Sequence, residues 1–279
     1  MTSIFTAPVY ELEQLNNIFI ELTAKNCNQR CKNCYIEFSQ TGFVQKKVKD
    51  FISIDRIKEM LSDTKLEDLH CIYLTGAEPM THPDFNSILR LCLKRCNVCI
   101  CTNGSFLNEK KIRFLHKVES EGGNQILFKL SLSHFEESEN DKVKYRGNFR
   151  QTIFALKTLS AYHFNSILHI QNHFNLNESI IYEALDEIFR NNSICNTNIQ
   201  ITKSHPSFEE GDFIKSSKKT DCMYGRVLSS NGVYACPFLA GDYRGRVGTT
   251  FKNYSKIFLG ETDFCATCSG NNNYMFTIQ

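Results

Sequence analysis

No window of the sequence approaches eighteen consecutive apolar residues, so a helix crossing a membrane is not expected. The N-terminal stretch MTSIFTAPVYELEQL lacks a basic segment followed by an apolar one, which argues against an export signal. Charge of one sign is lacking too: 32 Lys and Arg against 30 Asp and Glu leave a formal net charge of +2. That balance gives no electrostatic footprint for nucleic acid or an anionic membrane, so neither is expected as a partner. Tryptophan is absent, which excludes nothing about the fold. Cysteine, by contrast, is abundant, with thirteen residues. The odd count and the missing export signal argue against a secreted disulfide framework. So does a chain of 279 residues, 42% of them apolar, which is large enough to bury a core without crosslinks. A reducing cytoplasm is the expected location, and the thiols are expected to bind metal or fill apolar space.

Apolar, β-branched runs at 18–23, 71–75, 98–102, 126–133, 167–173 and 198–202 alternate with segments of helical period at 53–62, 83–95, 109–120, 149–161 and 178–190. The alternation predicts an α/β fold of six parallel strands joined by crossover helices, with Ser53 and Asn177 as caps. After Thr202 the rhythm stops. Residues 206–220 are polar and read as a linker between a core at 18–205, preceded by an extension at 1–17, and a small unit at 221–279. That unit is rich in Gly, Asn and Cys and short of apolar mass, so a metal site is expected to hold it together.

Cys27, Cys31 and Cys34 form C-x3-C-x2-C in a loop directly after the first strand, at the end where β/α barrels place their active sites. Three thiolates suit three irons of a 4Fe-4S cluster and leave the fourth iron open for a small chelating ligand. The alternative is a zinc knuckle, although no fourth Cys or His lies in the loop. Cys92, Cys96 and Cys99 share the spacing but straddle a helix and the next strand, so they read as packing, as do Cys71, Cys101 and Cys195.

With these residues in place the chain resembles the radical S-adenosylmethionine (SAM) superfamily, in particular its SPASM or twitch subgroup with a cysteine-rich C-terminal extension. Thr75-Gly76-Ala77-Glu78-Pro79 looks like the GGEP element that contacts the SAM amino group, for which backbone carbonyls and a carboxylate are suitable acceptors. Ala77 replaces the second glycine. Cys101-Thr102-Asn103-Gly104 is similar to the family's TNG turn. Ser131-Leu132-Ser133 is similar to its Ser-Leu-Asp, with Ser133 in place of Asp. Arg146 occupies the region of an arginine that pairs with the SAM carboxylate, and Asn172, at the end of the fifth strand, is a further SAM-contact position. Asn33 stands where relatives place an aromatic. The resemblance implies a partial (β/α)6 barrel of the radical SAM type with a small C-terminal cysteine-rich, twitch-like domain.

Cys222, Cys236, Cys265 and Cys268 follow the barrel pattern, and Asn231 to Pro237 resembles the hairpin before a cluster ligand in twitch domains. Their number suits one fully ligated auxiliary 4Fe-4S cluster, and their spacing also suits a zinc ribbon. The resemblance favours iron. It further implies reductive cleavage of SAM to a 5'-deoxyadenosyl radical, with hydrogen abstraction from a substrate carbon and a flavodoxin or ferredoxin-type electron donor. Peptide post-translational modification (oxidation, crosslinking or epimerisation) is the expected outcome, with a peptide substrate or a separate peptide-recognition protein as partner. The residues before the first strand are too few for a leader-binding domain. A small-molecule dehydrogenase acting on an amino sugar or cofactor precursor is the alternative, and a non-catalytic iron-sulfur electron carrier is the alternative of another class.

Overall fold

The computed structural model describes residues 17–32, 34, 36, 50–62, 66, 69–203, 226–235, 237, 240–241 and 245–251. Six strands, β1 (Asn17–Thr23), β2 (Cys71–Gly76), β3 (Asn97–Thr102), β4 (Ile126–Leu132), β5 (Asn165–Asn172) and β6 (Thr197–Lys203), pair in sequence order and all in parallel. Each crossover carries a helix, because parallel neighbours leave the chain to return along the whole strand length. These are α1 (Ile54–Leu61), α2 (Phe85–Leu93), α3 (Glu109–Ser120), the pair α4 (Glu137–Val143) and α5 (Asn148–Ala161), and α6 (Glu178–Asn192). Ser53, Asn108 and Asn177 cap α1, α3 and α6 by accepting the N–H of Arg56, Lys111 and Ser179.

Strand alternation sorts side chains between two cores. Ile18, Ile20, Ile72, Leu74, Val98, Ile100, Phe128 and Leu130 meet the helices through Ile57, Ile88, Ile112, Leu115 and Leu156. Each such buried side chain contributes roughly 1.5–3 kcal/mol relative to exposure. On the opposite face Phe19, Cys71, Tyr73, Cys99, Leu127 and Ile167 form a second cluster, with the Phe19 and Tyr73 rings stacked 4.6 Å apart. Burial on both faces is the mark of a parallel α/β sheet, and the arrangement is consistent with a partial barrel.

The sheet does not end at β1. Strand β7 (Arg226–Ser229) pairs in parallel with its free edge, and β8 (Gly232–Tyr234) and β9 (Arg246–Gly248) continue antiparallel, giving the order β6-β5-β4-β3-β2-β1-β7-β8-β9. The described strands of the C-terminal unit therefore extend the core sheet and satisfy an edge that would otherwise present unpaired backbone groups. Arg56 of α1 fastens this addition by donating to the carbonyls of Ser229 (3.3 Å) and Thr249 (2.9 Å). Cys222, Cys236, Cys265 and Cys268 lie outside the described residues. Among the described residues no helix is long and apolar enough to cross a membrane.

Candidate functional site

The C-terminal ends of β1 and β2 are laced together by backbone contacts. The Thr23 carbonyl accepts the N–H of Ala77 (2.8 Å) and the Asn26 carbonyl that of Glu78 (3.1 Å). Gly76 has φ +119°, and a Cβ there would stand 2.3 Å from the Thr23 oxygen, so only glycine permits the approach of β1 to β2. Gly76 and Ala77 are half-buried at the surface of this end, whereas Glu78 and Pro79 are buried, Pro79 opening a single 3-10 turn to Thr81.

Glu78 is the centre of the arrangement. Its Oε1 accepts the Thr102 hydroxyl (2.9 Å) and the Met80 N–H (3.1 Å), and its Oε2 accepts the Asn103 N–H (2.9 Å). Burial pushes the carboxyl up to about 7, against the opposing pull of these three donors. The Glu78 side-chain oxygens face protein donors inside the fold, while Gly76 and Ala77 remain half-buried in the turn before it.

Asn103, fixed through its N–H, reaches back to the cysteine loop. Its Nδ2 donates to Cys27 Sγ (3.7 Å) and Asn28 Oδ1 (2.9 Å), while its Oδ1 accepts from Ser105 N (2.9 Å) and Oγ (2.6 Å). Asn28 Nδ2 closes the ring onto Ser105 Oγ (2.8 Å). Sequence reasoning missed Asn28 and Ser105, since a polar residue in a loop carries no signal of its own.

Cys27, Cys31 and Cys34 are half-buried and in no disulfide. Cys27 Sγ also accepts the Gln29 N–H (3.4 Å), and Arg30 Nη1 braces the loop by donating to the carbonyls of Cys27 (2.7 Å) and Gln29 (2.9 Å). Burial holds the Cys27 thiol above its ordinary value, opposed by the donors on its sulfur. Among the described residues no three Cys, His, Asp or Glu side chains converge as a single ion would need. A cubane makes no such demand, because each thiolate takes a separate iron. The donor set fits an iron-sulfur cluster: three half-buried thiols on one loop, with two N–H groups already directed at the Cys27 sulfur.

On the far side of the loop a chain of buried amides leads to β4. Asn148 Nδ2 donates to Gln29 Oε1 (3.3 Å), Asn140 Nδ2 to Asn148 Oδ1 (3.0 Å), and the Ser133 N–H to Asn140 Oδ1 (2.8 Å). Ser133 is buried beside this chain, and Ser131 accepts from Lys144 Nζ (3.3 Å). Arg146 is exposed in the turn between α4 and α5, just before the left-handed Gly147. Asn172 closes its own turn, exchanging two hydrogen bonds with the backbone of Leu176 (2.7 and 2.9 Å). Asn33 lies outside the described residues. The remaining cysteines divide. Cys71, Cys92, Cys96 and Cys99 are buried, with burial pushing the Cys96 thiol up to about 12, as expected of packing groups. Cys101 is half-buried, and Cys195 is exposed in the turn before β6, so apolar filling does not describe it.

The sequence model of the Radical SAM superfamily matches residues 22–188. GTP 3',8-cyclase from Limosilactobacillus fermentum is 28% identical over 161 residues, covering 56% of this chain and 46% of the cyclase. Streptococcus suis SuiB bound to precursor peptide SuiA superposes with a TM-score of 0.57 at 11% identity, over 91% of this chain and 65% of that one. The histidine-tagged protein anSMEcpe with bound AdoMet does so with a TM-score of 0.58 at 14% identity, over 94% and 84%. The chain thus spans a little under half of the cyclase and just under two thirds of SuiB. At these identities the structural likenesses establish the fold alone.

Proposed function

The chain belongs to the radical SAM superfamily, and from that premise we propose that it modifies a peptide after translation, by oxidation, crosslinking or epimerisation at a carbon centre. Cys27, Cys31 and Cys34 are assigned to the 4Fe-4S cluster. The bound cluster and SAM supply a 5'-deoxyadenosyl radical able to abstract hydrogen from carbon. The protein's share is placement. The observation that carries the assignment of the cluster and SAM site is the Glu78 latch, which ties the second-strand turn, the third-strand turn and, through Asn103, the Cys27 sulfur into one hydrogen-bonded unit.

Within that unit the backbone of Gly76, Ala77 and Glu78 is assigned to the SAM ammonium, and Arg146 to its carboxylate. Ser131, Ser133 and Asn172 line the neighbouring strand ends, and Pro79 and Asn103 hold the shape of the cradle. Cys222, Cys236, Cys265 and Cys268 are assigned to an auxiliary 4Fe-4S cluster of twitch type, which would let the enzyme take a second electron from the substrate radical. A flavodoxin or ferredoxin-type protein is the proposed electron donor.

A peptide substrate is supported by likeness of fold to SuiB, whose structure holds a precursor peptide. A nucleotide substrate is the second reading, favoured by sequence similarity to GTP 3',8-cyclase over part of the chain. Co-expression with any short reading frame found beside the gene, followed by mass spectrometry of the encoded peptide, together with SAM-cleavage assays with and without GTP, separates the two. A mass change, or deuterium incorporated from D2O at one residue, supports peptide modification. Unchanged peptides together with GTP-stimulated SAM cleavage contradict it.

A further inference from the structure

The amide chain behind the cysteine loop has a direction. A backbone N–H only donates, so the Ser133 N–H obliges Asn140 to turn Oδ1 toward it (2.8 Å). Asn140 Nδ2 then points the other way, to Asp141 Oδ1 (3.1 Å) and Asn148 Oδ1 (3.0 Å), both of which only accept. Asn148 in turn presents Nδ2 to Gln29 Oε1 (3.3 Å). Three amides are thus oriented by one peptide group, and at the end of the row Gln29 is left with its Nε2 as the outstanding donor. Gln29 is 4% exposed, and this Nε2 is buried with no hydrogen-bond partner among the described residues.

Leaving a buried donor unmatched is costly, and this one sits inside the Cys27–Cys34 loop, two residues from Cys27 and two from Cys31. Cys31 Sγ lies 3.9 Å from Gln29 Oε1, donating to it as a thiol. As an iron-bound thiolate that sulfur has no proton to give and takes donors instead. The acceptors a cluster brings to this loop are sulfurs, from its own sulfides and from the ligating cysteines.

We infer that Gln29, oriented through Asn148 and Asn140, donates from Nε2 to a sulfur of the cluster held by Cys27, Cys31 and Cys34, and so makes that cluster easier to reduce. The inference rests on the functional reading above. Hydrogen bonds to cluster sulfur favour the more negative, reduced form and raise the reduction potential. One such bond is worth about a tenfold change in the reduction equilibrium.

The test is an EPR-monitored redox titration of the anaerobically reconstituted full-length protein, following the signal that SAM perturbs, with the titration itself run without SAM. Gln29→Met removes the donor at similar length, and Gln29→Glu keeps an acceptor for Asn148 but offers no donor. Both are expected to be about tenfold harder to reduce, roughly 59 mV for one electron. Should either variant fail to hold iron, wild-type protein labelled with 15N in the glutamine side chain gives an independent readout: pulsed EPR of the reduced cluster is expected to show a 15N coupling. A SAM-responsive signal with an unchanged midpoint in the variants, or without 15N coupling in the wild type, overturns this inference and leaves the functional reading standing. No SAM-responsive signal in the wild type takes down both.

Discussion

At the residue scale, two positions decide whether the site forms. Gly76 holds a φ that other residues adopt only with strain of about 1–3 kcal/mol, and a methyl there would overlap the Thr23 carbonyl. Gly76→Ala is therefore expected to destabilise the chain by more than that strain alone and to weaken iron retention, measured by denaturant unfolding and iron content. Glu78 accepts three donors at once. In Glu78→Gln the new NH2 group must face at least one of them, so a loss of about 1–3 kcal/mol is expected. Thr102→Val removes one of those donors with little change of shape and is expected to cost less, and the same unfolding experiment ranks them. The glutamate is legible in the sequence as part of a motif, but its role is not. A motif names the residue, whereas only the folded chain shows that burial turns its oxygens inward.

At the element scale, strands β1 to β6 and helices α1, α2, α3, α5 and α6 are legible, because apolar residues recur with periods of two and near four over long stretches. Helix α4 is not. Its sequence ESENDKV holds one apolar residue, and it is fixed by polar contacts instead: Asn140 in the amide chain, and Asp141, whose carboxylate accepts the N–H groups of Gly147 and Phe149 at the start of α5. Strand β7 escapes for a different reason, since four residues beginning with an arginine carry too short a pattern to read. Its attachment to β1 leans on Arg56, which bridges α1 to the carbonyls of Ser229 and Thr249. Arg56→Ala is expected to cost roughly 1 kcal/mol and to bring forward proteolytic cleavage within 226–251 while the core resists, as limited proteolysis with mass mapping would show.

At the scale of the whole molecule, two carboxylates with raised pKa values, Glu78 buried and Glu21 half-buried, make stability depend on pH. Burial, with the negative charge of Asp50 beside it, pushes Glu21 up to about 8, and burial pushes Glu78 up to about 7. Unfolded, both titrate near 4.5. Between these values the folded chain binds more protons than the unfolded one, so stability falls as pH rises from about 4.5 toward 8. Thermal unfolding of the cluster-free protein is expected to show that decline, and Glu21→Gln, which has no proton to lose, to flatten its upper part. A wild-type midpoint that rises over the same interval would contradict the assignment.

The radical SAM character of the chain converges on the Cys27–Cys34 loop, and the most direct measurement is anaerobic reconstitution with iron, addition of dithionite and SAM, and a mass assay for 5'-deoxyadenosine, with Cys31→Ala in parallel. The account predicts 5'-deoxyadenosine from the wild type and none from the variant. Zinc in place of iron at this loop, or an iron-loaded wild type that leaves SAM intact, would contradict it.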